Sequence, residues 1–210
     1  MRNLLSRVLF LVCGAVFLGS PALAGTIVFF GDSLTAGLGV EEGQAFPALI
    51  EEKIQAERLP FSVVNAGVSG DTSAGGLRRI DWLLQQPIDI LVLELGANDG
   101  LRGLPVSTMK TNLQAIIDKV KAKNPKAKIV LAGMRMPPNL GGEYADDFRE
   151  AFVDLARSNK AVLIPFLLEA VAGHLDLNQA DQIHPTAAGQ KIVAENVWRV
   201  LEPLLEKNGS

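Results

Sequence analysis

The stretch TIVFFGDSLTAGLG, residues 26–39, passes in one step from an apolar run, Thr26 to Phe30, into a glycine-rich segment whose reactive side chains are Asp32, Ser33 and Thr35. The run does not alternate polar with apolar residues, so it predicts a strand covered on both faces, as in a parallel sheet. The runs Phe61 to Asn65, Ile88 to Leu95, Lys128 to Ala132 and Ala161 to Pro165 read the same way. Helical patterns lie between them. Phe46, Leu49, Ile50 and Ile54 share one face. Leu113, Ile116, Ile117 and Val120 share another, in a helix expected to be capped by Ser107 and stopped at Asn124-Pro125. A last helix is expected from about Thr186 to Leu205. Strand and helix alternating along the chain predict a doubly wound α/β fold with right-handed crossovers. In such sheets ligands sit outside the carboxyl ends of the strands, where the strand order reverses. Ser33 follows the first strand, VSGDT (68–72) the second and GANDG (96–100) the third, so three polar clusters should meet at one rim.

The N-terminus reads differently. Arg2 and Arg7 precede an uncharged apolar run, Val8 to Leu18, and Ser20-Pro21-Ala22-Leu23-Ala24 carries an Ala-x-Ala pattern of small residues. This predicts a secretory signal over residues 1–24, cut after Ala24, with one domain over residues 25–210. The run is shorter than the roughly 20 residues of a spanning helix, so no membrane anchor is expected after cleavage. Cleavage removes Cys13, the chain's only cysteine, and two arginines without any acid, taking the formal charge from −3 to −5. A periplasmic or secreted location follows. With no basic cluster, nucleic acid is not an expected partner. Without thiols, and with His174 and His184 as the only histidines, neither a metal centre nor a cysteine nucleophile is expected. No internal repeat or linker appears, and a monomer is expected.

A serine hydroxyl becomes a useful nucleophile only when a base takes its proton and a third group holds that base. DQIHP, 181–185, offers both partners: Asp181 and His184 lie three apart, before a proline suited to a helix's first turn. Each piece also has a plainer reading. GDS after a strand can be only a turn, and His184 only a helix cap. Asn98 can close an Asx turn or donate an amide N–H to a developing oxyanion. Gly70, like Gly67, can serve a turn or let a backbone amide approach substrate. Asp71 and Asp99 read as residues that fix these loops, and His174 as a loop or surface histidine.

Together GDSLTAGLG (31–39), NAGVSGDT (65–72), ELGANDG (94–100) and DQIHP (181–185) resemble, in order, the four blocks of the GDSL or SGNH hydrolase family. GDSLTAG, VVNAGVSGDTS, LVLELGANDGLRG and the closing DxIHP resemble in particular its bacterial periplasmic group of multifunctional acyl-CoA thioesterases, lysophospholipases and arylesterases. The resemblance implies a flavodoxin-like three-layer α/β/α sandwich on a five-stranded parallel sheet. It makes Ser33 the nucleophile, with Asp181 and His184 completing a triad. The amides of Ser33 and Gly70 and the side chain of Asn98 would form the oxyanion hole. No cofactor is implied. The GxSxG elbow of ordinary α/β-hydrolases is absent.

Leu101, Leu104, Pro105 and Val106 follow Asn98, and Met134, Met136, Pro137, Pro138 and Leu140 follow the fourth strand at the same rim. Such residues can line an acyl groove, methionine adapting to chains of different shape, or can simply pack. Their placement together favours a lipid-like acyl ester or thioester as the small-molecule substrate. The rival readings are a carbohydrate-directed acetyl esterase on the same triad and a non-catalytic binding module.

Overall fold

The computed structural model describes residues 25–205, so the expected signal over residues 1–24 lies outside the described residues. Five strands, β1 (Gly25–Gly31), β2 (Phe61–Asn65), β3 (Ile90–Glu94), β4 (Lys128–Ala132) and β5 (Val162–Ile164), form one sheet in the order β2-β1-β3-β4-β5. Every pairing is parallel. The helices are α1 (Ser33–Ala36), α2 (Phe46–Ala56), α3 (Ser73–Leu83), α4 (Ala97–Leu101), α5 (Val106–Lys123), α6 (Gly142–Asn159) and α7 (Ala187–Leu205). α2 packs on α7, while α3 packs on α5 and α5 on α6. With right-handed crossovers these groups cover opposite faces of the sheet, giving three layers.

The apolar runs become strands because both of their faces are buried. All five residues of β3 are buried, and Ile27, Phe29 and Phe30 of β1 have no exposed surface. Each such side chain contributes roughly 1.5–3 kcal/mol by leaving water. Phe29 meets Phe46 of α2 edge-on at 5.5 Å, and the Phe46 amide donates to Gln190 Oε1 of α7 at 3.0 Å. The first strand, α2 and the last helix are thereby locked into one layer contact.

Several boundaries differ from the sequence expectation for local reasons. β3 begins at Ile90 because Asp89 closes the sheet's lower edge: its carboxylate accepts the Thr26 amide at 2.8 Å and its own amide donates to Thr26 O at 3.0 Å. It ends before Leu95, since Gly96 turns the chain at φ +113°. Ser107 does not cap α5. The helix starts at Val106 behind Pro105, with no side-chain cap, and Ser107 lies inside its first turn. β5 is a short edge strand. Two helices beyond those expected are α3 and α6: Phe148, Ala151, Phe152 and Leu155 share the buried face of α6, and α3 carries Gly75 and Gly76, poor helix formers, yet a Cβ on Gly76 would run into Leu95 and Phe30 of the sheet layer.

The strand order reverses between β1 and β3. The crevice outside their carboxyl ends is therefore where a ligand should sit, and the segments that follow these two strands carry Ser33 and Asn98.

Candidate active site

β1 ends at Gly31, where a Cβ would collide with Thr35 and with Glu94 of the neighbouring strand, so the chain can turn this tightly only with glycine. Asp32 then caps α1, its Oδ1 accepting the Leu34 amide at 3.1 Å. Ser33 becomes the first residue of a one-turn helix, 8% exposed, with its hydroxyl at the rim.

The loop before α7 reaches it from 151 residues away: Ser33 Oγ lies 2.8 Å from His184 Nε2. His184 Nδ1 lies 2.7 Å from Asp181 Oδ2. Asp181 accepts a proton-bearing Nδ1, so Nε2 is left as the acceptor facing the serine. The other carboxylate oxygen, Oδ1, accepts the amides of Ile183 and His184 at 2.9 and 3.0 Å. These donors, the imidazole first, hold the Asp181 carboxyl down at about 2. Gln179 ties the loop to the serine segment: its amide donates to His184 O at 2.8 Å, and its Nε2 donates to Leu38 O at 2.7 Å.

The second and third polar clusters close the rim. Gly70 sits at φ +80° with nothing near a would-be Cβ, so its glycine serves a left-handed turn, not close packing. Among the described residues, neither the Ser33 nor the Gly70 amide donates to a protein acceptor. Asn98 makes no Asx turn. Its Nδ2 crosses to Asp32 Oδ2 at 3.0 Å and to Asp71 O at 2.9 Å, so both amide hydrogens have protein partners. Asp99 accepts the Ser73 amide and hydroxyl at 2.7 and 2.6 Å. Asp71 pairs with Arg79 at 2.6 Å, and the same guanidinium donates to Ala66 O and Gly31 O. Both acids thus fix loops. His174 is exposed and does not line the cavity that holds Ser33.

A cavity of about 560 Å³ opens beside Ser33, Gly70, Asn98 and His184. Leu101, Met134, Met136 and Pro137 line it as the sequence predicted. Leu104 and Pro105 do not, nor do Val106 and Leu140. The chain turns away after α4: Leu104 O accepts the Tyr144 hydroxyl at 2.8 Å, and Pro105 is committed to starting α5. The Pro138 side chain lies outside the described residues. The remaining apolar wall, Leu38, Phe166, Leu168, Ala172 and Ile183, was not legible in the sequence, since three of these residues come from the segment after β5, which carries no periodic signal. Among the described residues no cluster of three or more His, Cys, Asp or Glu side chains is arranged to hold a metal ion. What the site can do is move a proton from a serine hydroxyl to an imidazole, beside two backbone amides free to donate and an apolar cavity.

Comparison with known proteins agrees with this chemistry. Residues 29–192 match the GDSL-like Lipase/Acylhydrolase family. Esterase TesA of Pseudomonas aeruginosa is 42% identical over 191 residues, 90% of this chain and 94% of that protein. Thioesterase 1/protease 1/lysophospholipase L1 of Escherichia coli K12 is 40% identical over 186 residues, 88% of this chain and 86% of that protein. The solved structure of a psychrotrophic esterase, EstA from Pseudoalteromonas sp., inhibited by monoethylphosphonate, matches with a TM-score of 0.82 at 36% identity, covering 87% of this chain and 100% of that one.

Proposed function

This chain belongs to the GDSL-like lipase/acylhydrolase family, and we propose that Ser33, His184 and Asp181 perform its serine-hydrolase chemistry on carboxylic esters and thioesters of apolar acyl groups. The observation that carries this reading is the unbroken chain of contacts from Ser33 Oγ through the imidazole to Asp181. Ser33 Oγ attacks the acyl carbonyl carbon while His184 Nε2 takes its proton. Asp181 holds the ring in that tautomer and stabilises the imidazolium. The carbonyl oxygen becomes an oxyanion received by the Ser33 and Gly70 amides and by Asn98 Nδ2, each donor worth about 3 kcal/mol of barrier. The imidazolium returns the proton to the leaving alcohol or thiol, and water, activated by the same base, releases the acid from Ser33.

The apolar cavity supports a lipid-like acyl group over a sugar acetate. It is lined by Leu38, Leu101, Met134, Met136, Phe166 and Leu168, a wall that would gain from burying methylenes at about 0.8 kcal/mol each. A p-nitrophenyl ester series run beside an acetylated sugar tests this: kcat/KM should rise from acetate to longer chains and exceed that for the sugar. A preference for the sugar acetate would redirect the assignment to a carbohydrate esterase. A fluorophosphonate should label Ser33; an unlabelled protein would make it a binding module. The same reading has the enzyme exported to the periplasm or beyond after loss of residues 1–24, working as a monomer.

A further inference from the structure

Beneath the Ser33 loop lies a second pair of acids that the hydrolytic steps do not use. Glu94, the last residue of β3, has no exposed surface, and Asp32 is 1% exposed. Glu94 Oε2 accepts the Thr35 hydroxyl at 2.7 Å and the Asp32 amide at 3.1 Å. Its Oε1 is buried with no hydrogen-bond partner. Asp32 divides its oxygens, Oδ1 taking the Leu34 amide and Oδ2 taking Asn98 Nδ2.

Two adjoining buried carboxylates cannot both be ionised without a cation between them. Among the described residues no cation pairs with either. Arg79, whose guanidinium reaches Gly31 O next door, is spent on Asp71 and two carbonyls and stacks 4.0 Å from the Phe30 ring. From the loop before α7, His184 acts on Asp32 only through its charge, and the Asp71 carboxylate faces Arg79. Burial pushes the Glu94 carboxyl well above its ordinary range, and the neighbouring Asp32 charge pushes it further. Burial also raises Asp32, to about 6, against the Leu34 amide, Asn98 and the His184 charge, which pull it down. The asymmetry puts the proton on Glu94.

We propose that Glu94 is kept as a neutral carboxylic acid sharing its proton with Asp32, and that this pair is the positioning device for the Asn98 side-chain amide. The unpartnered Oε1 is the oxygen left to carry a proton, and Asp32, whose amide meets Oε2, is the neighbouring charge. Asp32 then carries the pair's single negative charge and, with Asp71 O, fixes the plane of the Asn98 amide at the site where the oxyanion forms. The proposal rests on the reading of Asn98 as an oxyanion donor.

The test compares wild type with Glu94→Gln and Glu94→Leu. Glutamine keeps both roles of a neutral Glu94: its oxygen can accept from Thr35 and the Asp32 amide, and its NH2 can donate to Asp32. Leucine keeps neither. At neutral pH the infrared spectrum of the wild type should show a protonated carboxylic acid C=O band that is absent from Glu94→Gln. A Glu94 that is ionised and merely structural gives no such band, and that result would overturn the proposal whether or not the leucine variant folds. In kinetics, Glu94→Leu should lose kcat by about tenfold or more at little-changed KM, and Glu94→Gln should recover most of the loss. The Asn98 side-chain amide resonances should move in the leucine variant and hold in the glutamine one; equal movement in both would also overturn it. Ser33→Ala serves as the reference. If it stays active, the hydrolytic reading fails; if it is dead while the infrared band is missing, only the carboxyl pair fails.

Discussion

At the scale of single residues, substitution separates the roles proposed for Ser33, His184 and Asn98. The Ser33 hydroxyl bonds His184 and does not cap α1, and alanine fills the same backbone position, so Ser33→Ala should leave circular dichroism unchanged while ester hydrolysis falls by roughly 10⁴-fold or more. His184→Ala should be comparably severe. His174→Ala should be nearly silent, because that ring stands in an exposed turn and does not line the cavity. An outcome with the two histidines reversed would redraw the triad. Asn98 is more instructive. Its two hydrogens are held by Asp32 and Asp71, so on the proposed reading an oxyanion takes one of them over and the donor acts mainly in the transition state. Asn98→Ala should therefore lower kcat by roughly 10² to 10³ with little change in KM. Melting temperature measured on the same preparation checks the alternative: a destabilised variant whose folded fraction keeps full kcat would remove Asn98 from the oxyanion hole.

At the scale of elements, the segment 181–184 is a small self-contained device. One carboxylate binds the imidazole with one oxygen and two backbone amides with the other, so the same group orients the base and shapes the loop. Those donors lower its folded pKa to about 2, against about 3.9 in an unfolded chain. A depressed carboxyl contributes stability that is present above the unfolded value and is lost as pH falls through the folded one. The expected result is a melting-temperature difference between wild type and Asp181→Asn that is constant above about pH 5 and closes as pH falls from about 4 to about 2. A difference that persists to the acid end would mean that the carboxylate is not the loop's anchor. The strands work at longer range. β1 and β3 are neighbours although their residues are some sixty positions apart, and their pairing delivers both the Ser33 turn and the Asn98 helix to one crevice.

At the scale of the whole molecule, the apolar load of residues 8–18 and the alanines at 22 and 24 predict that the exported protein begins at Gly25. Mass spectrometry of periplasmic material should give that N-terminus, whereas an intact chain in the inner membrane would mark an anchor. Among the described residues no helix is long and apolar enough to cross a membrane.

The alternation of strand and helix, and two strands to the residue, could be read from the sequence, and so could Ser33, Gly70, Asn98, Asp181 and His184 as the candidates on which the proposed chemistry rests. These are local facts. An apolar run that fails to alternate declares burial on both faces, and a hydroxyl, an imidazole and a carboxylate declare their chemistry wherever they stand. Which of them stand beside one another follows from the fold. Leu104 and Pro105 are as apolar as Leu101, yet the turn after α4 carries them away from the cavity, while Leu38, Phe166 and Ile183 arrive there from segments with no periodic signal. Glu94 reads in the sequence as one acid in an apolar strand. Its partner is 62 residues away, its burial is complete, and the proton it must hold follows from that neighbourhood, because the cost of a charge is set by the medium and the groups around it and not by its place in the chain.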